Sequence, residues 1–337
     1  MDLPYVHGGP LGRVNFKSEP EDFVVEEQLG FEPSGDGEHC LLWVEKRDLD
    51  SNAASARIAD ALGIRRRLVS HCGLKDRHAV TRQWFSVHLP GQDSPDPDAL
   101  ASDGLRVLRV TRNTRKLRRG THIGNRFSIR LRQPNFEPCL AAQHWERITK
   151  QGVPNFFGPQ RFGHEGKNVD KALALFRGAF QTRDRLLRGL LISSARSHLF
   201  NVIVAERIIR DVWDRPLNGE VFGIASNRSL ILPERKRGDE CERFAQGLIE
   251  LTAPLWGEGD LQSINDVQLL EQKLARAHSE ITQGLEAFGL RQERRVLRVR
   301  PEDSTFAVTD DDDLEISFRL PKGTYATAVL RELAEIG

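Results

Sequence analysis

A single carboxylate, Asp76, is the side chain on which a chemical reading of this chain turns. It sits in the run His71-Cys72-Gly73-Leu74-Lys75-Asp76-Arg77-His78-Ala79-Val80-Thr81-Arg82-Gln83-Trp84-Phe85, in a loop between two stretches of strand character. A glycine opens the loop, and Lys75, Arg77 and His78 surround the carboxylate with positive charge. Opposite charge within a few ångströms favours the ionised form. An ionised carboxylate can serve as nucleophile, base or metal ligand. A loop aspartate can equally be a turn residue paired with a neighbour, so other segments have to decide. His78 is a candidate general base by proximity alone, although a loop histidine often simply caps a turn.

The charge distribution offers a second clue. The chain has 337 residues, 39% hydrophobic and 29% charged, with a net charge of only +1. That describes an ordinary globular protein with room for two cores. Yet Gly104 to Arg132 holds ten Lys or Arg and no acidic residue, while four consecutive aspartates stand at Asp310 to Asp313. Segregated charge of this kind creates a local positive field that a polyanion would feel. Arg112, Arg115, Lys116, Arg118 and Arg119 are the candidates for nucleic-acid backbone contacts, which set affinity and salt dependence rather than sequence choice.

Other classes find little support. The four cysteines are scattered and the ten histidines dispersed, with no zinc-type spacing. There is no Gly-rich loop followed by Lys-Ser/Thr and no GxGxxG after a strand, so neither a nucleotide cofactor nor a metal is expected. No signal peptide and no long apolar run is visible, which suits a reducing cytoplasm. A monomer is the default expectation, since no helix carries a sustained apolar seam.

The elements that must position Asp76 read as follows. Strands are expected at 14–17, 22–26, 40–45, 68–72 and 83–89, with a helix through Leu62 capped by Asp50 or Ser51. Leu105 to Arg109 and Arg126 to Leu131 alternate apolar and basic residues, the period of strands with one face buried and one positive. From about 151 the texture becomes helical: 171–179, 183–210, 241–251 and 265–290. Strand character returns at 294–300, 305–309 and 314–320 before a last helix at 325–336. Strands, a helical block and strands again suggest a domain inserted into a sheet-based one.

Four further segments join the Asp76 loop: Phe16 to Glu27, Gly124-Asn125-Arg126-Phe127, Asn155 to Gly163, and Ser194 to Asn201. With Leu320 to Thr327, they occur in an order that closely resembles the TruD family of tRNA pseudouridine synthases. The resemblance implies an α+β fold: a pseudouridine synthase catalytic domain with a mixed, mostly antiparallel sheet and flanking helices, carrying an inserted α/β domain. The catalytic part is expected at 1–151 and 293–337, and the insert at 152–292. The implied activity is isomerisation of uridine, at position 13 of certain tRNAs, without cofactor or metal.

The same resemblance assigns roles. Asp76 matches the family's catalytic aspartate and Lys17 its active-site lysine. Phe127 matches the aromatic that stacks on the target base, and Asn125 the neighbouring amide. A base must leave its stack to be processed, so an aromatic platform offsets part of the unstacking cost; a Phe in an alternating strand is otherwise core. Arg161 and Arg196 are candidate phosphate or carboxylate partners, since a guanidinium binds either bidentately. Two alternatives stand beside this reading: an RNA-binding or RNA-folding protein, and a synthase acting at another RNA site.

Overall fold

The computed structural model describes residues 2–224, 229–235 and 238–336. In chain order its main elements begin with β1 (Arg13–Phe16), β2 (Phe23–Gln28), β3 (His39–Arg47), α1 (Ser51–Ala61), β4 (Val69–His71), β5 (Val80–His88), β6 (Leu105–Asn113), β7 (Gly124–Arg132) and α2 (Pro138–Gln151). There follow β8 (Val153–Pro154), α3 (Lys167–Phe176), α4 (Arg185–Ile209), β9 (Phe222–Ile224), β10 (Leu230–Ile231), α5 (Glu240–Ala245), β11 (Ile249–Leu255), α6 (Asn265–Ala277), α7 (Ser279–Ala287), β12 (Glu293–Val296) and β13 (Arg298–Val299). The chain closes with β14 (Glu302–Val308), β15 (Leu314–Pro321), α8 (Ala326–Leu333) and β16 (Glu335–Ile336).

Two compact units emerge, one of 10–150, 301–326 and 333–337, the other of 1–9, 151–300 and 327–332. The first holds a ten-stranded sheet in the order β14-β15-β7-β2-β5-β3-β6, with β1 and β16 paired at one side and β4 added to β5. Most pairs are antiparallel; β2–β5 and β1–β16 are parallel. The sheet is thus mixed and mostly antiparallel, the α+β arrangement expected. Its strands form because β-branched and aromatic residues alternate along them. Leu42 and Val44 of β3 pack with Ile58 of α1 and Phe85 of β5, while Leu41 packs on the other face with Cys72, Trp84 and Leu117. Both faces of the centre are therefore covered. Asp50 caps α1 by accepting from the backbone N–H groups of Asn52 and Ala53, satisfying donors that the first turn leaves open.

The second unit carries a four-stranded sheet, β10-β9-β11-β12, and the β8–β13 pair. The boundary between these two units falls after Arg300, where β12 pairs with β11 and β13 with β8. Three local expectations are overturned. Residues 241–251 are a short helix followed by the buried strand β11; Gly247 at φ 73 ends the helix, and an apolar run of this length does not separate strand from helix by period. The stretch 265–290 breaks into two helices at His278, whose φ of −118 is not helical. Helix α2, with Ala141, Trp145 and Ile148 on its buried face, lies where no helix was expected.

One buried charge stands out in the sheet. Lys46 of β3 is 0% exposed, and its ammonium donates to the Leu49 carbonyl at 2.8 Å. Burial, helped by the charge of Lys75, lowers its pKa from 10.5 to about 8. Between those values the unfolded chain binds a proton that the fold does not, so stability rises with pH across that window. Lys46→Met should therefore melt higher than wild type at pH 7, by about 5 °C. The gap should close as pH rises from 8 to 10.5. Thermal melts of both proteins across that range test it, and a constant gap would refute the assignment. Cys72, whose thiol is pushed up to about 12, weakens both proteins alike above pH 9.

Candidate active site

The Asp76 loop is pinned from below before anything happens above it. Ser51 at the start of α1 accepts from the Lys75 backbone N–H at 3.0 Å and donates to Gln83 Oε1 at 2.6 Å. Gln83 Nε2 in turn donates to the Gly73 carbonyl at 3.2 Å. Lys75 itself turns inward: its Nζ lies 2.7 Å from Glu27 Oε2, with the two side chains 6% and 0% exposed. The other Glu27 oxygen accepts from the Trp84 backbone N–H. With Lys75 drawn into the protein, Asp76 is left on the exposed side of the loop.

The cation at Asp76 is not one of its sequence neighbours. Lys17, 59 positions away, brings its Nζ to 2.9 Å from Asp76 Oδ2. Lys75 is spent on Glu27, and Arg77 makes no ion pair with Asp76 among the described residues. His78 faces elsewhere, its Nδ1 2.9 Å from Asp48 Oδ1 and its Nε2 3.0 Å from the Lys17 carbonyl. It braces the backbone of Lys17, and both ring nitrogens are occupied. Lys17 needs the brace, since its φ of 58 is a left-handed conformation that side-chain-bearing residues seldom adopt. Its ammonium also lies 4.1 Å from the centroid of Phe23.

Phe23 leads to the remaining candidates. Its ring is 5.9 Å from that of Phe127, which lies 5.5 Å from Phe318 on the adjoining strand. Phe127 is 6% exposed, so most of its ring is sheet core. Asn125, two residues earlier on the same face of β7, holds a buried Oδ1 with no hydrogen-bond partner among the described residues. Gly124 allows this close packing: a Cβ there would lie 2.4 Å from the Leu320 carbonyl oxygen. Lys17, Asp76, Asn125 and Phe127 thus all belong to the first unit.

The arginines divide. Arg112 donates to Ser94 Oγ and to the Leu89 and Gln92 carbonyls, so its guanidinium is consumed inside the protein. Arg196 is likewise held by the carbonyls of Trp256, Leu255 and Arg291 and by Glu293. Both act as local braces rather than open anion contacts. Arg161 reaches Ser193 Oγ at 3.3 Å and lies over the Phe157 ring. Arg115, Lys116, Arg118 and Arg119 remain exposed.

Sequence reasoning missed the buried group beneath the loop. Ligand atoms of Glu27, Cys72 and His122 lie within 4.8 Å of one another, a trio able in principle to hold a soft divalent ion. The Lys75 ammonium already supplies Glu27 with its positive partner. Burial, reinforced by the Glu27 charge, pushes the Cys72 thiol up to about 12, so it stays protonated. Burial also lowers the His122 pKa, with Lys75 and Lys322 pushing the same way and Glu27 against. Only the spacing of Glu27 from β2 to the loop links these residues, and no local motif announces it.

The family model described as tRNA pseudouridine synthase D (TruD) matches residues 4–175 and 167–333. The chain belongs to that family. It is 44% identical over 334 residues to the tRNA pseudouridine synthase D of Chromohalobacter salexigens, covering 98% of this chain and 96% of that one. It is 43% identical to the Methylococcus capsulatus protein of the same name, covering 99% and 94%. A crystal structure of a protein described as TruD from Methanosarcina mazei superposes with a TM-score of 0.71 over 100% of this chain and 95% of that one, at 21% identity. That likeness shows the fold.

Breaking the inner pair should be costly. Lys75→Met leaves Glu27 buried and unpaired, and unfolding in urea should show a loss of about 3–5 kcal/mol. Adding Glu27→Gln to that variant should restore at least half of the loss. A double variant no more stable than the single one would show that the pair is not what holds the loop.

Proposed function

We propose that this protein isomerises uridine to pseudouridine in tRNA, at position 13, with Asp76 as the essential carboxylate. The observation that carries the reading is the exposed Lys17–Asp76 pair. An ion pair this exposed contributes only about 0–1 kcal/mol to stability, yet Lys17 is held in a left-handed backbone to make it. Strain kept for so little stability points to chemistry. The family membership and the names of its relatives supply the substrate class.

The reaction is a balanced rearrangement: the N1–C1′ bond breaks, a C5–C1′ bond forms, C5 loses a proton and N1 gains one. Asp76 can act on the sugar carbon, or add to the ring, or take a sugar proton. Each route uses its carboxylate as electron-pair donor or base. Lys17 supplies the positive charge beside it and can steady charge developing on the detached uracil. Asn125 Oδ1, buried and unpartnered, is an acceptor suited to the N3–H of a uracil. Leaving it unpaired costs about 1–3 kcal/mol, which a bound base would recover. Phe127, buried between Phe23 and Phe318, backs the sheet on which Asn125 sits rather than presenting an open ring.

Asp76→Asn should lose pseudouridine formation by more than about 10³-fold, on the scale of a lost covalent or acid–base group, while binding tRNA as wild type does. Lys17→Met should lower turnover at saturating tRNA by at least about tenfold. Both variants should melt within about 2 °C of wild type, since the pair carries little stability. Position-resolved mapping of pseudouridine in treated tRNA is the readout. Modification elsewhere with none at position 13 would change the substrate assignment, and full activity in Asp76→Asn would end the proposed role.

A further inference from the structure

A run that the catalytic reading leaves unused is Arg65-Arg66-Arg67, exposed on a short turn of 3-10 helix between α1 and β4. Folding brings Arg66 to the wall of a cavity of about 360 Å³ that is also lined by Lys116, Arg118 and Arg119 of the β6–β7 loop. Ser70 and His71 of β4 form part of its floor. All four cations are exposed, and none is paired with a carboxylate among the described residues. This sets them apart from Arg106, Arg130 and Arg132, which are paired with Glu45, Asp313 and Asp22. Burial lowers the His71 pKa, against a hydrogen bond with the Gly73 backbone and the Glu27 charge, with Arg119 and Lys75 adding to the lowering.

The cavity is tied mechanically to the Asp76 loop. The Gly120 backbone N–H, directly after Arg119, donates to the Cys72 carbonyl at 2.8 Å. His71, on the floor, ends β4 and leads straight into that loop. Four uncompensated cations around a cavity whose wall leads into the Asp76 loop suit an anionic strand that continues from the reacting nucleotide. A planar guanidinium takes a phosphate bidentately, and an RNA strand presents a phosphate at every linkage.

We propose that this cavity is a phosphate subsite, which clamps one internucleotide phosphate of the RNA flanking the target uridine. The proposal rests on the pseudouridine synthase reading and extends it from the reacting base to the adjoining backbone. By neutralising that phosphate, the cations hold the strand in register while the uridine is turned out toward Asp76. They do not touch the reacting atoms, so they should govern binding rather than the chemical step.

The test uses the full chain and its tRNA substrate, with the triple variant Arg66→Gln/Lys116→Gln/Arg119→Gln. All three side chains are exposed, so its melting temperature should match wild type. The dissociation constant for tRNA should rise about tenfold, and the slope of its salt dependence should fall by about one, the loss of one phosphate contact. Turnover at saturating tRNA should stay within about twofold of wild type, as expected when only uniform binding is lost. Synthetic RNAs carrying one neutral methylphosphonate linkage each then locate the contact. One linkage near the target should weaken wild-type binding and leave the triple variant's binding unchanged.

An unchanged affinity and salt slope in the triple variant would overturn the subsite. So would methylphosphonate losses that add to the variant at every position. Inorganic phosphate, titrated alone, distinguishes a free-anion site: tight phosphate binding that the variant loses, with tRNA binding unaffected, would replace the RNA strand as ligand. The parent reading is judged separately, by pseudouridine formation in wild type. RNA binding with the expected linkage dependence but no isomerisation would leave the subsite standing and remove the enzyme.

Discussion

The constraint from which the rest of the site follows is the inward turn of Lys75 onto Glu27. Adjacent residues in an extended loop face opposite ways, so drawing Lys75 into the protein commits Asp76 to the outside. The ion pair is buried, and a buried pair is worth keeping only where its geometry is fixed by additional bonds. Ser51 and Gln83 provide those bonds to the loop's own backbone. The helix start, the central strand and the loop therefore form one rigid support. Asp76 needs no contact of its own to be placed.

Above that support, the reactive pair is assembled from distant parts of the chain, and this governed what could be read in advance. The strands, the capped helix α1 and the mixed sheet were legible, because alternation and capping are local signals. Asp76 was legible as a carboxylate in a cationic loop. Its partner was not legible from charge alone, since Lys75 pairs with Glu27, His78 with Asp48, and Lys17 comes from the residue just after β1. Lys17 could be named through a family motif, but the left-handed turn and the His78 brace beneath it are visible only in three dimensions. Helix α2 escaped notice because its start at Pro138 follows a polar, proline-containing stretch without a capping signature.

The basic segment shows how composition misleads in both directions. Ten cations without an acid in 104–132 look like one continuous nucleic-acid surface. The fold divides them by task. Arg130 and Arg132 sit against the acidic residues Asp313 and Asp22, and Arg112 closes a loop through carbonyl groups. What remains uncompensated is concentrated on the loop from Arg115 to Arg119. Local net charge on a folded protein is set by which ions find partners, a property of topology rather than of residue counts. The same accounting brings in Arg66, which lies outside the basic segment.

The interleaving of the two units bears on how this chain becomes a protein at all. Strand β7, which carries Asn125 and Phe127, pairs on one side with β15, whose first residue lies 182 positions after β7 ends (132 to 314). At a ribosomal pace of about 5–20 residues per second, roughly 10 to 40 s separate their emergence. Through that interval one edge of β7 is an open ladder on a half-built sheet, followed in the chain by a segment whose strands β9, β11 and β12 can already pair among themselves. Unpaired edges invite association with other chains. The arginines of β7, at 126, 130 and 132, place charge on that strand while it waits, an electrostatic guard during synthesis before Arg130 and Arg132 take up their carboxylate partners and Arg126 the Ser317 hydroxyl.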